Sequence, residues 1–312
     1  MMERLRVLDI FCGAGGLGDG FKKTGFRLEG VDISEKAGRT YELNKVGSFI
    51  KADLSHEIVD GEYEIVVGGP PCKPWSSVNL RKRGIKHQDY HLLSRYFEHI
   101  KHHSPKVFLL ENVPPLANDQ TYKANIKRLE KVGYSVTGKK IVYSDFGAPI
   151  RRHRFIVFGT KNGDAQFFFK KLSKYEETPK MVKDAIWSLR DKKKDEANDH
   201  VWPELKTINK YKEYYRTGKF GWYILNWDKP APSFGNIMKT YILHPDSFDG
   251  RPPRVISVKE ASLIMGFDED FRFPKGLGLG SRYQMIVDAV SPVFSYAAAK
   301  AVKEIISEQS FS

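Results

Sequence analysis

Short apolar runs rich in β-branched and aromatic residues recur through the first half of the chain, and polar or glycine-containing segments separate them. Arg6-Val7-Leu8-Asp9-Ile10-Phe11, Phe26 to Val31, Phe49-Ile50-Lys51-Ala52, Ile65-Val66-Val67, Lys106 to Leu110 and Phe155 to Gly159 are short enough to read as buried strands. Between them, Leu92, Leu93, Tyr96, Phe97 and Ile100 fall on one face of a helix predicted from about Tyr90 to His103. Strands alternating with helices predict an α/β fold, a Rossmann-like sheet with helices on both faces. From Gly159 to Arg254 the pattern breaks into basic residues interleaved with aromatics, which predicts a small mixed second domain. Amphipathic helical segments at Val255 to Phe267 and Ser291 to Glu308 then return to the first lobe. The predicted division is 1–160, 161–253 and 254–312, with the larger lobe discontinuous.

The polar residues that close the apolar runs carry the first chemistry. The first strand runs into Cys12-Gly13-Ala14-Gly15-Gly16-Leu17-Gly18, which satisfies G-x-G-x-x-G and lets a ligand approach the backbone. Asp9, Asp32 and Asp53 each sit at the carboxyl end of a predicted strand, the edge at which open α/β sheets bind ligands. A dinucleotide would bring a pyrophosphate to the glycine loop, where Asp9 repels it. S-adenosylmethionine, with a cationic sulfonium and no phosphate, suits that acid better, and Asp53 can accept from an adenine amino group. S-adenosylmethionine is therefore favoured over NAD.

Charge changes the picture of the partner. Lys and Arg total 51 against 38 Asp and Glu, a formal net charge of +13 over 312 residues, which favours a polyanion. No apolar run is expected to approach the ~20 residues of a membrane span, and the start lacks the long apolar core of a signal peptide. The expectation is a soluble protein of the cytoplasm. Cys12 and Cys72 are the two cysteines, too few for a disulfide framework or a zinc site built of thiolates.

Cys72 lies in Gly68-Gly69-Pro70-Pro71-Cys72-Lys73-Pro74-Trp75-Ser76-Ser77, a loop stiffened by prolines directly after a strand. Asn79 to Asp89 follows, basic and hinged by Gly84, as a loop closing over a phosphate backbone would be. The strand ending at Leu110 delivers Glu111-Asn112-Val113 to the same edge. A thiolate adding to C6 of cytosine makes C5 nucleophilic only if N3 receives a proton, and Glu111 can be that acid. Arg152 and Arg154, two apart before a strand, can point the same way and bond a base carbonyl or a phosphate.

In this order the motifs resemble the C5-cytosine DNA methyltransferases over nearly the whole chain. Asp9 to Gly18, Asp32, Asp53, Gly69-Pro70-Pro71-Cys72, Glu111-Asn112-Val113, Arg152-x-Arg154, Arg254 to Ala261, and Arg282-Tyr283-Gln284 through Pro292 resemble its successive blocks. The resemblance implies Cys72 as nucleophile, Glu111 on N3, Arg154 on the cytosine O2 and Arg152 orienting that cluster. It implies S-adenosylmethionine against Asp9, Phe11, Gly13, Gly15, Gly16, Leu17, Asp32, Ile33, Asp53, Leu54, Pro71, Leu92, Asp288 and Ala289. Contacts to double-stranded DNA are expected from Lys73, Ser76, Arg81, Lys82, Arg83, Lys86 and Asn236, with the target base flipped out of the duplex. No metal is expected.

Three positions depart from the family pattern. Lys73 stands where glutamine is usual after the nucleophile, Ile150 replaces a glutamine before the arginine pair, and Asp288 replaces an asparagine. Lys73 is expected to keep Cys72 partly ionised. The region 161–253 corresponds to the family's target-recognition domain, with most of its aromatics structural and Pro232 to Tyr241 near the groove. The expected enzyme is a monomeric DNA (cytosine-5-)-methyltransferase, either solitary or paired with a restriction endonuclease encoded nearby. Competing readings are tRNA methylation, whose branch carries a Cys-Phe-Thr signature not found here, a silent DNA-binding member, and an NAD oxidoreductase.

Overall fold

The computed structural model describes residues 5–76 and 84–309. Its centre is a seven-stranded sheet made of β1 (Arg6–Ile10), β2 (Arg27–Asp32), β3 (Ser48–Lys51), β4 (Ile65–Gly68), β5 (Val107–Asn112), β6 (Ser135–Val142) and β8 (His153–Thr160), with the two-residue β7 (Ile150–Arg151) outside it. The order is β3-β2-β1-β4-β5-β8-β6. The five strands from β3 to β5 pair in parallel, so their carboxyl ends share one edge. β8 is antiparallel to both neighbours, pairing Asn112 with Phe155 and Ile141 with Arg154. Its reversed direction puts the start of β8, and with it Arg154, at the edge where β5 ends.

Side chains alternate across this sheet and define two cores. Val7, Val67, Val107, Leu109, Ile156 and Phe158 face one side. That side is covered by α1 (Gly16–Lys23) and α10 (Pro292–Gln309). Leu8, Ile10, Val66, Phe108, Leu110 and Val157 face the other, under α3 (Leu92–His103) and α4 (Gln120–Glu130). Helix α2 (Glu35–Leu43) starts at Ser34, whose hydroxyl accepts from the Ala37 N–H. By this alternation Asp9 shares the Val7 face, Glu111 the Leu109 face and Arg154 the Ile156 face.

The sequence underestimates two things about the C-terminal segment. Helix α9 (Leu279–Asp288) is not foreseen, although it carries Arg282 to Asp288. Together α9 and α10 form an apolar stretch long enough by composition to cross a membrane, against the expectation of no such run, but 72% of its most apolar window is buried in the protein. It is a core element: the Ser295 hydroxyl of α10 donates to the Leu17 carbonyl of α1.

The second lobe shares a continuous apolar core with the first, through Ile186, Tyr215, Ile242 and Leu243. Helix α5 (Gln166–Leu172) still packs on the large sheet, Phe168 stacking on Phe158 of β8 and Lys171 pairing with Glu304 of α10, and the second lobe contains α6 (Val182–Ile186), α7 (Lys212–Thr217), β9 (Tyr223–Ile224), β10 (Ala231–Pro232) and β11 (Ile242–Leu243). Most of its aromatics are structural, as expected. Trp222 packs against Tyr215 and Tyr241, and Trp227 Nε1 donates to buried Asp246 at 2.7 Å. Helix α8 (Val258–Met265) is opened by a reciprocal cap between Ser257 and Glu260. The fully buried Glu260 also accepts both Nη atoms of Arg254 at 2.7 Å.

Candidate active site

The Cys72 loop is held over the end of β5 by Asn112 of the Glu111 motif and by Asp119, which the sequence did not single out. Asn112 Nδ2 donates to the Pro70 carbonyl at 2.9 Å, and Trp75 Nε1 donates to Asp119 Oδ2 at 2.9 Å. Tyr90 donates to the same Asp119 oxygen, also at 2.9 Å, so one carboxylate anchors the loop and the approach to α3. Asp119 is legible in sequence only as the N-cap of α4, which it also is. The loop returns through the Gly84 N–H, which donates to the Pro74 carbonyl. Ser76 N–H donates to the Cys72 carbonyl, and Lys86 is exposed in the turn that follows. Arg81, Lys82 and Arg83 lie outside the described residues.

Glu111 and both arginines converge on Cys72. Arg154 Nε lies 2.6 Å from Glu111 Oε1, and the Tyr143 hydroxyl donates to the same oxygen at 2.8 Å. Glu111 Oε2 faces Gly69 in the Cys72 loop, where a Cβ would come within 3.2 Å of it. Arg152 Nη2 donates to the Val287 carbonyl at the end of α9, so this arginine ties the C-terminal segment to the site. Burial drives the Arg152 guanidinium down to about 10, with the charge of Arg154 adding to it.

The thiol itself departs from expectation. Burial raises the Cys72 pKa above its ordinary value; Arg154 and, more weakly, Arg152 oppose this, while Glu111 and Asp288 reinforce it. Lys73 is exposed, and its positive charge also acts on the exposed Asp288. Among the cations, Arg154 and then Arg152 act most strongly on Cys72.

The cofactor candidates divide into lining and supporting groups. Phe11 adopts a left-handed backbone conformation, φ 57°, directly after β1, a strained geometry typical of functional edges. Gly13 is also left-handed, φ 53°, and a Cβ there would meet nothing within 4 Å, so its backbone is open to a ligand. Gly16 is different: a Cβ would lie 2.2 Å from the Val290 carbonyl, so glycine is required there by packing against the C-terminal segment. Gly15 likewise packs on Val46 and Tyr41. Leu17, Leu54 and Ala289 are buried core side chains, whereas Ile33 is 61% exposed. Pro71 and Leu92 are partly buried at the same edge.

Asp32 organises the glycine loop, accepting from the Gly13 N–H at 3.0 Å and the Ser34 N–H at 2.8 Å. Each oxygen keeps a second lone pair for a ligand hydroxyl. Asp53 Oδ1 accepts from Ser55 Oγ and N–H, and these bonds hold its pKa below the usual value. Asp9 corrects a second expectation. It stands at a strand's carboxyl end, but its side chain points to the face covered by α1 and is fully buried. Burial, followed by the charge of Asp32, raises its pKa to about 8; the Gly18 N–H and the Tyr41 hydroxyl oppose this, though neither makes a well-formed hydrogen bond to it. The pKa of Asp32 is also raised, first by burial and also by Asp288. Asp9 and Asp32, two acids whose pKa values are raised, thus stand at the glycine loop, a setting that fits a cationic ligand such as S-adenosylmethionine.

Asn236, expected on DNA, is engaged inside the protein. Its Nδ2 donates to the Gly280 carbonyl at 3.1 Å and to Gln284 Oε1 at 2.9 Å, and its Oδ1 accepts from the Met238 N–H. Gln284 Nε2 in turn donates to both oxygens of Asp288 at 2.9 Å.

The sheet, with its reversed β8 and an edge carrying a thiol, an acid and two arginines, has the architecture of a methyltransferase fold. The chain belongs to the C-5 cytosine-specific DNA methylase family, whose model matches residues 5–304. It is 29% identical to the type II methyltransferase M.FnuDI of Fusobacterium nucleatum, over 98% of this chain and 96% of that protein. It is 28% identical to the type II methyltransferase M.NgoPII of Neisseria gonorrhoeae, over 97% and 96%. In fold it is similar to the Entamoeba histolytica methyltransferase EhMeth, with a TM-score of 0.74, 17% identity and coverage of 98% and 99%. A DNA modification methyltransferase encoded within an E. coli prophage gives 0.73, 23% identity and coverage of 97% and 99%.

Proposed function

We propose that the protein transfers a methyl group from S-adenosylmethionine to C5 of a cytosine flipped out of a short specific duplex DNA sequence, through a covalent bond from Cys72 to C6. The observation that carries this is the meeting of Cys72 with Glu111, an acid whose Oε1 is held by Arg154 and Tyr143 and whose Oε2 faces the Cys72 loop.

The Cys72 thiolate adds to C6 while Glu111 delivers its proton to N3, which leaves the electron pair at C5 free to attack. S-adenosylmethionine supplies the methyl group. Loss of the C5 proton to solvent then expels the thiolate and restores the ring, and N3 returns its proton to Glu111. Arg154 has Nε on Glu111 and Nη1 on the His153 carbonyl, which leaves Nη2 for the cytosine O2. Phe11, Gly13, Asp32, Asp53 and Leu92 would hold the cofactor, with Asp9 and Asp288 adding negative charge near its sulfonium. Burial disfavours the Cys72 thiolate, and the positive charges of Arg154 and, more weakly, Arg152 favour it. We read 161–253 as the target-recognition domain, and the basic charge of the chain supports a DNA partner.

The test is incubation with duplex DNA containing 5-fluorocytosine and S-adenosylmethionine. Fluorine cannot leave C5 as a proton does, so a covalent protein–DNA adduct accumulates. An adduct that survives in Cys72→Ala, or its absence from the wild type across varied DNA sequences, overturns the reading.

A further inference from the structure

We propose that Tyr143 is a positioning residue for Glu111, selecting which carboxylate oxygen meets the base. This rests on the proposed role of Glu111 as the acid toward N3.

Tyr143 follows β6 directly, and its N–H donates to the Arg152 carbonyl across the hairpin that leads to β8. That pairing brings Tyr143 onto the sheet face that Glu111 and Arg154 also use. The side chain is fully buried, and its ring stacks on Phe294 of α10, with centroids 5.2 Å apart and planes at 21°. The Arg154 guanidinium lies 6.0 Å from the centre of the same ring. A ring fixed from two sides can aim its hydroxyl in few directions, and it donates to Glu111 Oε1 at 2.8 Å.

A carboxylate held by one donor can still rotate about its Cγ–Cδ bond and exchange its oxygens. Glu111 Oε1 receives two donors, Tyr143 Oη and Arg154 Nε, from different directions. Exchange would break both bonds together. Oε2, which makes no hydrogen bond to any described residue, is thereby committed to the side of Gly69 and Cys72, where the base must lie. Tyr143 is suited to stay a donor, because burial, reinforced by the negative charge of Glu111, carries its pKa well above that of an exposed tyrosine. Preorganisation of this kind acts on the reaction step and not on ground-state binding of the cofactor.

The experiment compares wild type, Tyr143→Phe and Glu111→Gln. Phenylalanine keeps the ring on Phe294 and removes only the hydroxyl. Three quantities are read: kcat with unmodified DNA, KM for S-adenosylmethionine, and the rate of adduct formation with 5-fluorocytosine DNA. Tyr143→Phe is expected to lower kcat and the adduct rate about tenfold, the size of one hydrogen bond to a charged group, with KM for the cofactor within about twofold of wild type. The thermal midpoint is expected to move by less than about 3 °C. An unchanged adduct rate in Tyr143→Phe overturns the inference, and so does a loss of rate matched by a rise in cofactor KM or a collapse of the thermal midpoint. If wild type forms no adduct, or Glu111→Gln forms it at the wild-type rate, it is the underlying role of Glu111 that has failed.

Discussion

Asn236 and Gln284 share a hydrogen bond of 2.9 Å that joins the second lobe to α9. Gln284 passes the connection on to Asp288, so a segment expected at the DNA groove is tied to the acid beside the cofactor edge. The two side chains should act as one unit. Asn236→Ala and Gln284→Leu, measured singly and together by urea unfolding, should be non-additive by about 1 kcal/mol. Additive losses in stability, with Asn236→Ala weakening DNA binding by itself, would return Asn236 to the DNA interface.

Cofactor affinity should depend on pH because the pocket is ringed by acids whose pKa values are raised. Asp9 rises to about 8 and Asp32 also lies above its usual value, burial being the first cause in each, while the exposed Asp288 adds its charge nearby. A cation favours their ionised forms, so binding expels protons and tightens as pH rises. The Kd for S-adenosylmethionine should fall about tenfold between pH 6 and pH 8, and calorimetry in buffers of different ionisation enthalpy should show the proton release. S-adenosylhomocysteine, which lacks the sulfonium charge, should show a smaller dependence, and Asp9→Asn should flatten it.

Lys73 should be neutral toward the thiol. Its charge reaches Asp288, and the Cys72 ionisation is governed by burial and by Arg154. Alkylation of Cys72 by iodoacetamide, followed against pH, should therefore have the same midpoint in Lys73→Gln as in wild type, within about 0.2 units. A midpoint displaced upward in the variant would show that Lys73 does activate the nucleophile.

The ion pair of Arg254 with Glu260 should govern acid stability of the second half. Glu260 is fully buried, and although burial opposes its charge, the Arg254 hydrogen bonds bring its pKa below the ordinary value. A lowered folded pKa stabilises the fold above the unfolded value, near 4.5, and that stability is lost as pH falls through the folded value. Glu260→Gln leaves a half-buried guanidinium facing a neutral group and should cost about 3 kcal/mol at pH 7. The difference between variant and wild type should shrink below about pH 4, which thermal unfolding against pH would reveal.

The candidate site was legible because its motifs are local. Pro70-Pro71-Cys72 and Glu111-Asn112 each follow a recognisable strand, so their side chains had to arrive at one sheet edge. Asp9 was misplaced because strand ends alone do not say which face is covered; alternation from Val7 places it under α1. Tyr143, Trp75 and Asp119 were not singled out, since a hydrogen bond to a residue dozens of positions away leaves no pattern in spacing.

By itself, then, the sequence determined the α/β class, the glycine loop, the candidate pair Cys72 and Glu111, and the order of blocks that resembles the methylase family. Hydrophobic period and short motifs encode these, and both are properties of adjacent residues. The tertiary structure alone decided that β8 runs backwards and so brings Arg154 to Glu111, that Oε1 of Glu111 is occupied while Oε2 faces the Cys72 loop, and that Asn236 serves Gln284. Those outcomes depend on strand direction, on which face a helix covers, and on packing between segments remote in the chain.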